Sequence, residues 1–168
     1  MNETGTITVL AYIGLGSNLN HPVEQIRSAR CAIAALPGVE EAAFSSLYRS
    51  APMGPQDQPD YINAAMAVRT GMTAMGLLRQ LQTIENQHGR VRLERWGART
   101  LDLDLLLFGE QQIKVPDLIV PHIGLAERAF VLYPLLEIAG PELHIPGQGF
   151  LQDLVEQCPA DGLERLTS

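Results

Sequence analysis

The stretch that constrains the fold most is residues 100–108 (TLDLDLLLF), where leucine and aspartate alternate before the sequence becomes wholly apolar. Successive side chains of a β-strand point to opposite faces. Asp102 and Asp104 would therefore share one face, while Leu101, Leu103 and Leu105 point into the core. The wholly apolar end suits a strand in the middle of a sheet. Residues 100–108 thus predict a central strand that carries two carboxylates on one face.

Other periodic segments predict what surrounds this strand. Strands are predicted for residues 7–14, 39–49 and 61–69, helices for 22–36 and 73–88, and helical additions near 129–139 and 149–157. Glycines in residues 14–18 predict a tight turn, and Thr73 is a candidate helix cap. This order is typical of an α+β, ferredoxin-like βαββαβ sandwich with additional short strands and C-terminal helices. Helices would cover one face and leave the other for ligands, in a single domain spanning residues 1–168.

The paired aspartates point to a metal. Two carboxylates on one face repel each other unless something neutralises them, and Mg²⁺ binds one or two carboxylates together with substrate phosphates. Ordinary exposed charges, or pairing with nearby arginines, would explain the same pattern. Enzymes that transfer phosphoryl groups commonly use a metal ion and arginines to stabilise the charge on the transferred group. Four arginines lie just upstream of the aspartates: Arg90, Arg92, Arg95 and Arg99.

The net charge of the chain limits which kinds of ligand these arginines are expected to bind. A net charge of −7 argues against nucleic acid or an anionic membrane as the main partner. An arginine cluster on an acidic chain instead suits a small anion such as a polyphosphate. Cys31 and Cys158 lack metal-ligand spacing and are expected to be free thiols. With neither a signal peptide nor a membrane span in evidence, the expectation is a cytoplasmic monomer that binds small molecules.

Four further side chains are candidates for binding. Trp96 stands among the arginines and either packs in the core or stacks on a flat ligand. Tyr61 and Asn63 share a strand face, where Asn63 either reads the amide edge of a heterocycle or is an ordinary strand amide. His122 follows a proline and is equally consistent with an ordinary structural residue. No Ser/His/Asp or Cys/His arrangement stands out, so nucleophilic catalysis has little support.

Several motifs together resemble one known family. They are GPQDQPDYIN (54–63), GRVR (89–92), RWGARTLDLDLLLFG (95–109) and VPH (120–122), with YIGLGSNL (12–19) and RAFVLYPLLEIA (128–139). The match runs from about residue 9 to 155, and its RWGxRTLDLD string is highly specific. The chain resembles 6-hydroxymethyl-7,8-dihydropterin pyrophosphokinase, a folate-pathway family. The resemblance implies that ATP gives its β,γ-diphosphate to the pterin hydroxymethyl oxygen and that AMP leaves.

The resemblance also implies roles for individual residues. Asp102 and Asp104 would bridge two Mg²⁺ ions, and Arg90 and Arg92 would act from a catalytic loop. Contacts with ATP carry over to Gln82, Glu85, Arg92, Trp96, Arg99, His122 and Arg128. Contacts with the pterin carry over to Ser50, Ala51, Met53, Tyr61, Asn63, Trp96 and Phe130. A second stacking aromatic is expected at Phe44 or in the nearby loop.

Three positions depart from the family pattern. Leu93 stands where a lysine is common, Asp117 where an arginine can help to bind ATP, and Ile123 where an aromatic residue follows His122. These changes bear on nucleotide affinity and leave the metal pair and the pterin residues intact. Two alternatives stay open: another ATP-dependent transferase with a different acceptor, and a non-catalytic ferredoxin-like domain that binds nucleotide or metal.

Overall fold

The computed structural model describes residues 8–18, 21–50, 60–88, 101–160 and 162–166. The strands are β1 Val9–Ser17, β2 Val39–Phe44, β3 Tyr48–Ser50, β4 Tyr61–Thr70, β5 Asp102–Phe108, β6 Ile113–Val115, β7 Leu118–Val120, β8 His144–Ile145, β9 Gly149–Phe150 and β10 Glu164–Arg165. The helices are α1 Pro22–Ala34, α2 Ala74–Gln87, α3 Ala129–Ala139 and α4 Leu151–Glu156, with a 3-10 turn at Leu125–Glu127. The long elements follow the predicted order, with shifted ends.

The main sheet is antiparallel, and its strands run in the order β10, β3, β4, β1, β5. β2 also pairs with β4, next to the segment that pairs with β3. The two longest strands, β1 and β4, therefore lie in the middle. The predicted central position of residues 100–108 is wrong, because β5 is the last strand of this order on its side. The apolar end of β5 instead reflects burial on both faces of the sheet.

A β-bulge in β5 explains the run of apolar residues. Tyr12 pairs with Leu107 and Ile13 pairs with Leu105, so Leu106 is an extra residue. Both Leu106 and Leu107 pack into the core on the second face of the sheet, whereas Leu105 packs on the first. A strand that is covered on both faces has apolar residues at consecutive positions. A central strand has the same sequence pattern, so the sequence alone does not distinguish the two positions.

The glycine-rich segment is part of a strand. Gly14 and Gly16 lie inside β1, so the predicted turn at residues 14–18 is wrong. Gly16 pairs with Asn63 of β4 on one side and with Asp102 of β5 on the other. Because an inner strand uses its backbone polar groups in the sheet, this segment offers no backbone cradle for phosphate.

The first face of the sheet is covered by α1 and α2. α1 begins at Pro22, a residue suited to the first helical turn. α2 begins as predicted, with the Thr73 hydroxyl accepting the N–H of Gly76 at 3.0 Å. The two helices bury one apolar stripe each against the strands, formed by Ile26, Ala29 and Ile33 and by Leu77, Leu81 and Ile84.

α3 packs on the second face, so the prediction that helices cover only one face is wrong. Leu132 and Leu135 are fully buried there, in a core shared with Tyr12, Ala67 and Leu107. The apolar sequence of α3 fits this position, since its buried side chains meet both the sheet and α4. The part of the second face nearer the start of β5 carries polar residues instead. We call it the polar half, formed by Ser50, Tyr61, Asn63, Asp102 and Asp104.

A cluster around Glu137 ties α3 to β3 and β10. The Glu137 carboxylate accepts hydrogen bonds from the Tyr48 hydroxyl (2.7 Å), the Ser46 N–H (3.0 Å) and the Ser46 hydroxyl (3.0 Å), and Arg165 lies 3.4 Å away. Burial, and then the bond to Glu137, raises the pKa of Tyr48 to about 12. Burial opposes ionisation of Glu137, but hydrogen bonds from Tyr48 and Ser46 outweigh it and lower the pKa of this carboxyl.

The β6–β7 hairpin lies beside β5 and turns at Pro116 and Asp117. Leu118 and Val120 of β7 are buried in the core of the first face, which fixes the hairpin against the rest of the molecule. No helix in the described ranges has the length and apolar character needed to cross a membrane.

Candidate active site

Asp102 and Asp104 lie on the same face of β5, so the geometric prediction is confirmed. They pair across β1 with Gly16 and Gly14, respectively, and both are partly exposed. Between them Leu103 points to the first face and is 4% exposed. Hard oxygen ligands that share an accessible face form a donor set suited to Mg²⁺. In the described part of the chain, no group of three or more His, Cys, Asp or Glu residues could hold a metal.

Asn63 lies in the same cross-strand row as Asp102, with Gly16 between them. Its side-chain NH₂ donates to the Ser50 hydroxyl at 2.8 Å, and Asn63 is 5% exposed. A Cβ at Gly16 would come within 3.1 Å of the Asn63 amide oxygen, which is tighter than an ordinary contact. Glycine at this position therefore leaves room for the Asn63 amide. Together with Ser50, which pairs with Tyr61 on the same face, the row presents an amide, a hydroxyl and a carboxylate on one surface.

His122 stands next to Asp104, at 3.7 Å between Nε2 and Oδ1. Its backbone N–H donates to the Leu106 carbonyl at 3.0 Å. Its Nδ1 accepts the N–H of Gly124 at 3.1 Å, so the neutral ring carries its proton on Nε2, on the side of Asp104. The structure therefore brings together two residues that the sequence separates by eighteen positions and presents a ring donor beside a carboxylate.

The N-terminal end of α3 carries two more predicted residues, Arg128 and Phe130. Arg128 is the N-cap residue of α3, and a Cβ at Gly124 would lie 2.7 Å from its guanidinium carbon. The same guanidinium carbon lies 5.9 Å from the centre of the Phe130 ring. A cation and an aromatic ring thus stand together in the first turn of α3. Such a pair can contact both an anion and a flat ring.

Glu85 of α2 approaches β5 from the first face. It is 4% exposed, and its carboxylate accepts the backbone N–H of Leu103 at 2.7 Å. This bond satisfies a backbone group between the two aspartates and fixes the strand that carries them. Gln82, one turn earlier, accepts a hydrogen bond from Arg79 at 3.1 Å. Both residues were predicted to contact ATP; they lie on α2, and Glu85 contacts β5 from the first face.

A groove of about 270 Å³ runs beside β5, between α2 and the β6–β7 hairpin. Asp104 and His122 line it, and so does Asp117. Its apolar lining includes Leu78, Leu105, Ile119 and Ile123. Asp104 therefore faces two environments, because it lies on the polar half and also lines an apolar groove that suits a flat ring.

Phe44 is not a stacking residue of this site. It pairs with Met66 and packs on the first face, where the Arg30 guanidinium carbon lies 4.3 Å above its ring. A bulge between Glu41 and Ala43 in β2 sets this orientation. Six predicted site residues lie outside the described residues: Ala51, Met53, Arg90, Arg92, Trp96 and Arg99.

Sequence reasoning missed two features that shape the site. The role of Gly16 becomes visible only when β1 is paired with β4, although a glycine within an apolar strand is itself a signal of close approach. The bond between Tyr48 and Glu137 joins residues 89 positions apart, and no local pattern indicates it.

Two partly exposed aspartates beside a groove are the arrangement expected of enzymes that transfer phosphoryl groups from a bound nucleotide. The chain belongs to the 7,8-dihydro-6-hydroxymethylpterin-pyrophosphokinase (HPPK) family, whose model matches residues 12–140.

Similar proteins support this assignment. A Pseudomonas aeruginosa protein named 2-amino-4-hydroxy-6-hydroxymethyldihydropteridine pyrophosphokinase is 50% identical over 155 residues, which are 92% of this chain and 95% of the relative. A Haemophilus influenzae protein of the same name is 50% identical over 149 residues, 89% of this chain and 92% of the relative. Wild-type Plasmodium falciparum HPPK-DHPS with pteroate has a TM-score of 0.71 over 90% of this chain at 14% identity, and the chain spans 42% of its length. The last likeness shows the fold alone.

Proposed function

We propose that this chain transfers the β,γ-diphosphate of ATP to the hydroxymethyl group of 6-hydroxymethyl-7,8-dihydropterin, in folate biosynthesis. The products are AMP and the pterin diphosphate. The observation that carries the proposal is the position of Asp104, which borders both the polar half and the apolar groove. A carboxylate at this junction stands where a phosphate chain would run from one substrate to the other.

The polar half would take the pterin. A pterin has a flat ring with alternating donors and acceptors, and the Asn63 amide offers one of each. The bond from Asn63 to Ser50 holds the amide in a fixed orientation. Phe130 would stack on the ring, with Tyr61 nearby. The resemblance adds Ala51, Met53 and Trp96 as pterin contacts.

The groove would take the adenine of ATP. Its apolar walls suit a flat base, and its Asp104 and His122 end would meet the phosphates. The Nε2–H of His122 and the guanidinium of Arg128 are donors for phosphate oxygens. Gln82 and Glu85 would border the nucleotide from α2. The resemblance adds contacts from Arg92, Trp96 and Arg99.

Asp102 and Asp104 fit magnesium, because two hard carboxylate oxygens leave positions for phosphate oxygens and water. Two Mg²⁺ ions at these residues are part of the proposal. When bound, the metal neutralises charge on the phosphates and orients them. The hydrogen bond from Leu103 to Glu85 would keep both carboxylates in place without a rearrangement of β5.

The residues of this chain would act mainly by orientation and charge. The pterin hydroxymethyl oxygen attacks the β-phosphorus, the bond from that phosphorus to the oxygen of AMP breaks, and the hydroxyl proton passes to solvent. Asn63 and Phe130 would fix the acceptor, while His122 and Arg128 would hold the donor in line with it. Arg90 and Arg92 would stabilise the charge on the transferred group. No general base is assigned.

A ferredoxin-like arrangement is part of the proposal. It is supported by a strand order in which β4 and β1 are central and by α1 and α2 connecting β1 to β2 and β4 to β5. We take residues 1–168 as one catalytic domain. The monomeric state and the cytoplasmic location stay predictions from the sequence.

The test is to incubate the protein with ATP, Mg²⁺ and 6-hydroxymethyl-7,8-dihydropterin and to measure AMP. AMP should form only when the pterin is present, and chelation of the metal should abolish it. A non-catalytic binding domain would bind ATP and form no AMP. If another acceptor supported turnover and the pterin did not, the alternative transferase would be preferred.

Variants test the assignment of the carboxylates. Asp102→Asn and Asp104→Asn should each reduce turnover by about 100-fold or more, because each removes a charge at the reacting phosphates. Circular dichroism should show an intact fold. Asp153→Asn is a matched control, since Asp153 is exposed on α4 and away from the site. Turnover that is unchanged in both aspartate variants would refute the metal assignment.

A further inference from the structure

The groove carries an ion pair at its rim. Asp117 lines the groove from the turn of the β6–β7 hairpin. Arg79 of α2 donates from Nη2 to the Asp117 Oδ2 at 3.1 Å. The pair therefore joins the helix on one side of the groove to the hairpin on the other.

Arg79 has a second partner on its own helix. Its Nη1 donates to the amide oxygen of Gln82 at 3.1 Å. This bond orients the amide of Gln82, whose NH₂ is a donor suited to a nucleotide and whose oxygen keeps a second lone pair. Arg79 thus acts on the groove through two side chains, Asp117 on the hairpin and Gln82 on the helix.

The charge of Asp117 is a disadvantage for an anionic ligand. An unpaired carboxylate at the rim would repel a triphosphate that comes within the screening length, about 8 Å in physiological salt. Arg79 cancels this charge. The two side chains are 53% and 62% exposed, and exposed ion pairs contribute little to folding stability. The effect of the pair should therefore appear in nucleotide affinity.

We propose that Arg79 and Asp117 form a rim clamp that sets the affinity of the groove for ATP. Arg79 is a positioning residue in this clamp, because it neutralises Asp117 and orients Gln82. This inference rests on the proposed function, since it takes ATP as the occupant of the groove. It adds a nucleotide-affinity role for a residue that the family resemblance does not include among the ATP contacts.

The experiment compares four proteins: the wild type, Arg79→Gln, Asp117→Asn and the double variant. Calorimetry with α,β-methylene-ATP and Mg²⁺ measures affinity without turnover. Arg79→Gln should weaken binding about three- to tenfold, because Asp117 is left unpaired at the rim of a groove that takes an anionic ligand. The double variant should recover to within about threefold of the wild type, because both charges are then absent. Asp117→Asn alone should bind no more weakly than the wild type.

Steady-state kinetics separate this role from a structural one. In Arg79→Gln the KM for ATP should rise, while kcat, the KM for the pterin and the urea midpoint stay near wild-type values. Arg79→Lys should restore part of the affinity. Arg49→Gln is the matched control, because Arg49 forms an ion pair of equal length, 3.1 Å, with Glu164 at the opposite edge of the sheet. It should leave ATP affinity unchanged.

The outcomes distinguish the clamp from the proposed function. Equal analogue affinity in the wild type and Arg79→Gln would overturn the clamp, as would a double variant that binds no better than Arg79→Gln. A wild type that binds the analogue and forms no AMP would refute the proposed function alone. A wild type that binds no nucleotide would overturn both.

Discussion

Tyr48→Phe removes one hydroxyl from the cluster that ties α3 to β3. The Tyr48 residue is buried, and its hydroxyl donates to an ionised carboxylate, that of Glu137, at 2.7 Å. Glu137 keeps its bonds from Ser46 and its contact with Arg165 in the variant. The substitution therefore removes one charge-assisted hydrogen bond without leaving the carboxylate unpaired.

A single charge-assisted hydrogen bond gives the size of the effect, because a bond to a charged group contributes about 1.5–3 kcal/mol to stability. The pKa of Tyr48 is raised from 10.0 to about 12, first by burial and then by the bond to Glu137, so the shift describes the cost of ionising the hydroxyl and not the strength of the bond. We therefore expect Tyr48→Phe to lower the free energy of unfolding by about 2 kcal/mol. For a chain of this length the melting temperature should fall by about 4–8 °C.

The effect should depend on pH in a defined direction. Because the pKa of Tyr48 is raised in the folded protein, its stabilisation is fully present below pH 10 and is lost between pH 10 and about 12. About half of it should be gone at pH 11. The pKa of Glu137 is lowered from 4.5. The stabilisation that the bond gains from the negative charge of Glu137 is therefore present at neutral pH and is lost as the pH falls below about 4.5.

Urea unfolding at pH 7, 9 and 11 measures these differences for the wild type and the variant. Tyr133→Phe is a control, because its hydroxyl donates to a neutral carbonyl, that of Cys158, at 2.8 Å. It should cost about 1 kcal/mol at pH 7. A Tyr48→Phe variant as stable as the wild type, or a difference as large at pH 11 as at pH 7, would refute the reasoning.

Three further substitutions test other contacts. Glu85→Leu should cost about 2 kcal/mol in urea unfolding, because the Leu103 N–H loses a charged acceptor; Glu85→Gln should lose less, and equal losses would contradict this. Gly16→Ala should raise the KM for the pterin about three- to tenfold with little change in kcat. The reason is that the added Cβ crowds the Asn63 amide oxygen by a few tenths of an ångström. An unchanged KM would contradict the role of that glycine. Phe130→Leu should weaken pterin binding about fivefold through lost stacking and leave binding of the ATP analogue unchanged; equal losses for both ligands in fluorescence titrations would argue against stacking.

Sequence patterns correctly predicted those structural features that depend only on residues close together in the chain. The shared face of Asp102 and Asp104 follows from the two-residue period of a strand, whatever the strand pairs with. The start of α2 follows from Thr73, whose hydroxyl caps the helix within three residues. The resemblance supplied the family, and the similar proteins confirm it.

Features that depend on pairing could not be predicted in this way. Phe44 shows why: the extra residue in β2 between Glu41 and Ala43 reverses the parity of the strand, so its ring turns to the first face. The same limit applies to β5, where apolar residues on both faces resemble a central strand. The position of α3 depends on packing across the sheet, which periodicity within the helix does not specify.

The extra residue in β5, Leu106, supports the second core and the segment that begins at His122. Leu106 is an addition to the regular pairing, so its side chain fills the second core while neighbouring residues keep their faces. Its carbonyl accepts the backbone N–H of His122. Loss of this one residue would leave both aspartates facing the polar half and would remove the anchor of the segment beside the groove. In the proposed function, the pterin and nucleotide regions would be joined through a single inserted peptide unit, so a change there would alter the nucleotide groove while the carboxylates stay in register.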